Sequence, residues 1–249
     1  MNAWANIRTI AKRELMGYFA SPVAYVFIVI FLLLTGFFTF MLGGFFERND
    51  ASLTAFFVYH PWLYLFLVPA VGMRLWSEER RSGTMELLLT MPITTWQAIV
   101  GKFLASWLFL GIALLLTFPI VFTVNYLGSP DNGVIVASYF GSFLLAGAYL
   151  AVTCMTSAMT RNQVISFIVS VVICFVLILA GYPPVTEFLS NVVGLNQHWV
   201  EGIASFSVMT HFDWMQRGVI DSRDLIFFAS LIVFSLFTTG VIIRGHRAG

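Results

Sequence analysis

Residues 22–46 contain no charged side chain, and wound as a helix at about 1.5 Å per residue they exceed the roughly 30 Å core of a bilayer. A water-soluble domain offers no place for so long a helix that is apolar all round, whereas a membrane does, provided that the helix tilts. Charge-free runs recur at 53–73, 103–126, 134–159, 164–182 and 225–243. With 59% of the chain hydrophobic and only 10% charged, the sequence predicts an all-α polytopic membrane protein with six transmembrane helices, forming one transmembrane domain over 1–249.

The stretches around these runs have their own patterns. In residues 1–21, Trp4, Ile7, Ala11, Leu15, Tyr18 and Phe19 recur at helical spacing among Arg8, Lys12, Arg13 and Glu14. That predicts a basic amphipathic helix lying in the interface rather than a cleaved signal. His60-Pro61 and Pro69 interrupt the second run, so this helix is expected to be kinked and packed against protein. His60 is either a proton or ligand site or an interfacial residue near the end of its span. Ser138, Ser142 and Ala146, with Gly141, Gly147 and Ala151 beside them, give the fourth span a small-residue face for close helix packing. Cys154 and Cys174 lie in apolar runs and read as small buried hydrophobes.

Residues 183–224 set Glu187, Glu201, Asp213, Asp221 and Asp224 among Phe188, Trp199, Phe206, Phe212 and Trp214. This suits short helices at headgroup depth, too polar to span. The expectation is an outer interfacial segment acting as a lid or lateral gate, with Trp199, His211 and Trp214 as its candidate residues. The capping-box-like Asp221-Ser222-Arg223-Asp224 opens the last span. Orientation follows from the basic residues. A cytoplasmic N-terminus puts Arg8, Lys12, Arg13, Arg74, Arg80, Arg81, Lys102, Arg161, Arg244 and Arg247 inside, against Arg48, Arg217 and Arg223 outside. Ten against three places both termini and residues 74–102 in the cytoplasm.

Residues 74–102 hold the densest charge in the chain. Within them Met85-Glu86-Leu87-Leu88-Leu89 is a run of good helix formers, introduced by Ser82-Gly83-Thr84 and closed by Pro92, which predicts a short cytoplasmic helix. Its apolar face needs a docking surface, either the membrane or a partner protein.

Several function classes are disfavoured. No span centre carries Asp, Glu, Lys or Arg, which argues against a proton-coupled transporter, although a sodium site built from carbonyls escapes that test. Gly101-Lys102 fails as a phosphate loop, because Trp96 stands where the first Gly belongs and Phe103 where Ser or Thr belongs. His198, His211 and His246 are dispersed and match no metal spacing. His211-Phe212-Asp213 with Glu201 is the one acid–base grouping that would suit a membrane enzyme. A channel or scaffold subunit, without coupling to ATP, stays open as an alternative.

The run Glu78-Glu79-Arg80-Arg81-Ser82-Gly83-Thr84-Met85-Glu86-Leu87-Leu88-Leu89-Thr90-Met91-Pro92, followed by Lys102, resembles the signature of the type-2 ABC transporter (ABC-2 type) permeases. The six-span layout, the N-terminal helix and the outer segment are similar to that family over essentially the whole chain. Phe206-Ser207 through His211-Phe212 and Arg217-Gly218-Val219-Ile220-Asp221 resemble the gliding-motility-associated (GldF-like) permeases, with Val208 or Met209 where a Pro is often found. The resemblance implies a bacterial inner-membrane exporter subunit that binds no cofactor itself, ATP and Mg being held by a separate ATPase. It implies an ATPase-coupling element of Glu79, Gly83, Thr84, Glu86, Leu87, Leu88 and Pro92. It further implies a second permease copy or related membrane subunit, an auxiliary outer-face protein and no nucleic acid.

Overall fold

The structure, a computed structural model, describes residues 3–48, 50–85, 93–191, 194 and 196–245. Among them there are helices and no strand. Five helical stretches are long and apolar enough to cross a membrane, and a sixth is reached if one bent pair is taken as a single span.

Capping chemistry sets the boundaries. Ser21 is extended and its hydroxyl accepts from the Val23 amide, while Pro22 fills the first helical position, so α1 (Ala3–Ala20) stops there and α2 (Pro22–Phe37) begins. A π-helical turn at Phe38–Leu42 and the pair Gly43-Gly44, the latter at φ 58°, end the first span short of the expected 46. The second span is assembled from α3 (Thr54–Phe57), α4 (His60–Gly72) and α5 (Arg74–Ser82). Helix therefore continues past residue 73 into the charged segment, where the sequence predicts helix only from residue 85.

Thr94 and Gln97 form a full capping box that starts α6 (Thr95–Leu115) well before residue 103, and Pro119 restarts the chain as α7 (Pro119–Leu127). Asp131 caps α8 (Asn132–Met159) by accepting from the Gly133 and Val134 amides, and Asn162 caps α9 (Gln163–Leu179) through Val164. Pro183 opens α10 (Pro183–Asn191), bent 67° from α9. Then come α11 (Gln197–Ala204), α12 (Val208–Gln216) and α13 (Ser222–Gly245).

The bundle is built around α8, which packs against α4, α5, α6, α9, α12 and α13. An apolar 18-residue stretch of α8 is 67% buried, against 28% for the corresponding stretches of Pro22–Leu42 and Ser222–Gly245, so α8 is the core and the other two spans present their apolar sides outward. The small residues make this arrangement feasible. A Cβ on Gly147 would lie 2.7 Å from the Trp107 indole, and one on Gly141 2.8 Å from the Met215 sulfur. Trp107 Nε1 donates to the Phe143 carbonyl at 2.9 Å, which ties α6 to α8 at the same level.

The N-terminal helix is docked on protein along one side. Asn6 Nδ2 donates to Gln97 Oε1 at 3.2 Å, Ile10 lies over Gly101, and the Tyr18 hydroxyl bonds Ser106 at 2.8 Å while its ring stacks on Phe109. These contacts advance together along both helices, so α1 runs parallel to the first half of α6. Trp4, expected on the apolar side, is 76% exposed.

Candidate functional site

The charged segment is held by the C-terminal end of α8. At the break after Met73, the Ser157 hydroxyl accepts from the Trp76 and Ser77 amides at 3.0 and 3.1 Å and donates to the Met73 carbonyl at 2.8 Å. One side chain thus takes up backbone groups that the interrupted helix leaves over. Trp76 Nε1 reaches Cys154 Sγ at 3.2 Å, and Arg80 Nη1 donates to the Ala158 carbonyl at 2.6 Å. The end of α5 is equally defined: Gly83 sits at φ 73°, a left-handed cap that any Cβ would strain, and Thr84 accompanies it through a hydroxyl contact with Ser82.

Lys102 closes this junction on the other side. Its Nζ lies 2.7 Å from Glu79 Oε1, 3.6 Å from Glu14 Oε1 and 5.5 Å from the centre of the Trp76 ring, and the residue is only 5% exposed. One ammonium therefore joins α1, α5 and α6, with the remaining Glu79 oxygen buried and without a hydrogen-bond partner. Such a cluster is expensive to dismantle from one side, because an uncompensated buried carboxylate is left behind. Gly101, the neighbour of Lys102, is needed for the approach: a Cβ there would lie 2.7 Å from Ile10 Cγ2. Beside the junction a cleft of about 530 Å³ lies between α1, α2, α4 and α5, with Glu14, Arg74 and Glu78 at its charged rim and Phe27, Ile30 and Leu67 along its apolar wall.

At the opposite end, the three outer candidates do not form one site. Trp199 on α11 and Trp214 on α12 are 65% and 50% exposed, and Trp214 carries the Arg217 guanidinium 5.7 Å from its ring centre. His211 turns inward, with Nδ1 2.6 Å from Asp224 Oδ1 and Nε2 3.0 Å from the Ser205 carbonyl. The acid–base grouping of His211 with Asp213 and Glu201 is not assembled: Asp213 pairs with Gln216 and Glu201 with Gln197. Asp224, expected in a capping box, serves the histidine, while Asp221 accepts from the Arg223 amide.

A family model described as ABC-2 family transporter protein matches residues 8–198. The chain belongs to that family. It is accordingly a membrane permease subunit of an ABC transporter, distinct from the ATPase subunit with which such permeases work. Among curated proteins none matches the chain.

Of the family-implied coupling residues, Glu79, Gly83 and Thr84 sit together at the end of α5, while Glu86, Leu87, Leu88 and Pro92 lie outside the described residues. The permease also relies on residues whose structural roles the sequence does not reveal. Lys102 was visible as a lone lysine at the head of a span, where only a buried counter-charge makes it tolerable. Ser157 and Asp224 gave no such signal, since a hydroxyl in a small-residue helix and an acid near a helix start are both ordinary.

Proposed function

We propose that this permease is the membrane-spanning half of an ATP-driven exporter of the bacterial inner membrane, and that residues 74–102 are its coupling element, seated on a cytoplasmic ATPase that holds ATP and Mg. The observation that carries this reading is the Glu79–Lys102–Glu14 junction: the segment expected to receive the ATPase is tied by charge to α1 and α6 and by Ser157 to α8. A displacement of α5 is thereby delivered to three helices at once.

The basic residues support the orientation. Those described on α1, α5 and the start of α6, with Arg161 and Arg244, share one end of the bundle, linked by the Arg80–Ala158 hydrogen bond and by Arg244 lying 5.7 Å from the Trp96 ring centre. Arg48, Arg217 and Arg223 lie toward the other end, where Ala51 meets Gly128 and Gly218 meets Val134. The permease then works as two copies or beside a related membrane subunit, and the charged rim and apolar wall of the cleft suit an amphipathic cargo. The outer segment acts as its lid, and likeness to the gliding-motility-associated permeases is the finer placement within the family.

The test is Leu88→Asp, which would place an unpaired carboxylate at the ATPase contact while leaving membrane insertion unaffected. Loss of ATPase co-purification by at least tenfold, with loss of transport-linked ATP hydrolysis, is expected. Retention of both by the mutant contradicts the coupling assignment.

A further inference from the structure

The environment of His211 fixes a proton count. Nδ1 faces Asp224 Oδ1 at 2.6 Å and Nε2 faces the Ser205 carbonyl at 3.0 Å. A carbonyl oxygen only accepts, and so does an ionised carboxylate. A neutral imidazole has one N–H, so a neutral ring beside an ionised Asp224 leaves one of these two contacts without a proton. Both contacts are hydrogen bonds only when the pair holds one proton more. That proton is carried either as imidazolium against carboxylate or as a carboxylic acid donating to Nδ1, and in both cases Nε2–H donates to Ser205.

The surroundings favour the charged arrangement. Phe227 stacks on the ring with centroids 4.0 Å apart, which suits a cation over a π face. Asp224 lies in the first turn of α13, where a negative charge is favoured. Its second oxygen is buried and has no hydrogen-bond partner, so the imidazolium is the group that compensates its charge.

We propose that His211 and Asp224 are a proton-loaded latch, which holds the α11–α12 turn against the start of the last span and lets it go when the proton is lost. The latch joins three pieces: the Ser205 turn, α12 through His211, and α13 through Asp224. Losing the proton removes one of its two hydrogen bonds. If Nε2 keeps its hydrogen, the tie to α13 is cut; if Nδ1 keeps it, the Ser205 tie is cut.

The carboxylates of Asp213, Glu201 and Asp221 at this end have partners of their own. Asp213, raised above its ordinary range by burial, faces Arg217 and Gln216 on α12; Glu201 accepts from Gln197 on α11; Asp221, lowered by the Arg223 amide, lies ahead of α13. The adjoining α8 and α9 contribute no Asp, Glu, Lys, Arg or His between 132 and 159 or between 163 and 179. Asp224 is thus the carboxylate set against the ring.

This inference rests on the reading of the outer segment as a lid, and the experiment separates the two. Spin labels are placed on exposed Gly202→Cys and Arg223→Cys, in the assembled transporter in lipid vesicles, where native Cys154 and Cys174 are buried. Their distance distribution is recorded from pH 5 to pH 9. A short-distance population should give way to a longer one as pH rises, the ratio changing by roughly tenfold per pH unit across the transition, as for one proton. His211→Gln should show the longer distance at every pH and Asp224→Asn the shorter one at every pH, because an Asn amide donates to a neutral Nδ1 while Nε2–H keeps its bond to Ser205. A wild-type distribution that does not change with pH overturns the latch, as does a pH transition that survives in either variant. If one variant fails to accumulate, the other and the wild-type profile still decide. Transport measured on the same vesicles addresses the lid: a latch that titrates without altering transport leaves the proton site standing and removes the lid reading. A latch that fails while Trp199→Ala still impairs export does the reverse.

Discussion

Lys102 is the residue on which the inner junction turns, and its substitution has a definite expected cost. Lys102→Met leaves Glu79 beside Glu14 without a cation between them. Full burial of such a pair would cost about 3–5 kcal/mol; Glu79 keeps a side-chain exposure of 21%, which reduces the expectation to roughly 2–4 kcal/mol. Thermal denaturation of the purified permease in lipid should show the loss. The double variant Lys102→Met, Glu79→Leu should recover at least half of it, because no buried charge is orphaned on α5 and Glu14 retains Arg13 at 3.2 Å. Equal destabilisation in the double variant would mean that the ion pair does not organise the junction. The signature Gly101-Lys102 was legible as a motif, but its physical content was not: neither the Ile10 contact nor the triple charge could be known until α1 was seen to run along α6.

At the scale of elements, α8 is the scaffold and its small residues are placed for neighbours rather than for flexibility. Gly147→Val should force the Trp107 indole away, break its bond to the Phe143 carbonyl and lower stability by about 1–3 kcal/mol. Trp107→Leu added to it should restore part of the loss, measured by the same denaturation midpoint. No change on Gly147→Val would remove the close α6–α8 contact from the account. The small-residue face was readable from the sequence because side-chain size and helical spacing are local facts. The helical state of 74–82 was not, since a run rich in charge between spans reads as solvated loop, and only Ser157, Cys154 and Ala158 on a distant helix make it an anchored element. The capping box at Thr94 and Gln97 was present in the sequence and starts α6 well before the apolar run, because helix boundaries follow caps rather than hydropathy.

The molecule as a whole has a basic end and an aromatic, acidic end joined by a bundle with no ionised side chain in its span centres. On the proposed reading, work done at the basic end travels through packed helices, and α5, held jointly by α1, α6 and α8, is the element that receives it. Six apolar runs were enough to establish an all-α membrane protein. They could not reveal that α12 packs into α8 through buried Val208, Phe212 and Met215, which seats this part of residues 183–224 against the protein. The central claim, that residues 74–102 meet the ATPase from the cytoplasm, is tested most directly by a photo-crosslinking side chain introduced at Leu88 or, as the opposite-end control, at Asp131 in the transport-active assembly. The account predicts a crosslink to the ATPase from position 88 and none from position 131; an active transporter that crosslinks from 131, or not at all from 88, contradicts it.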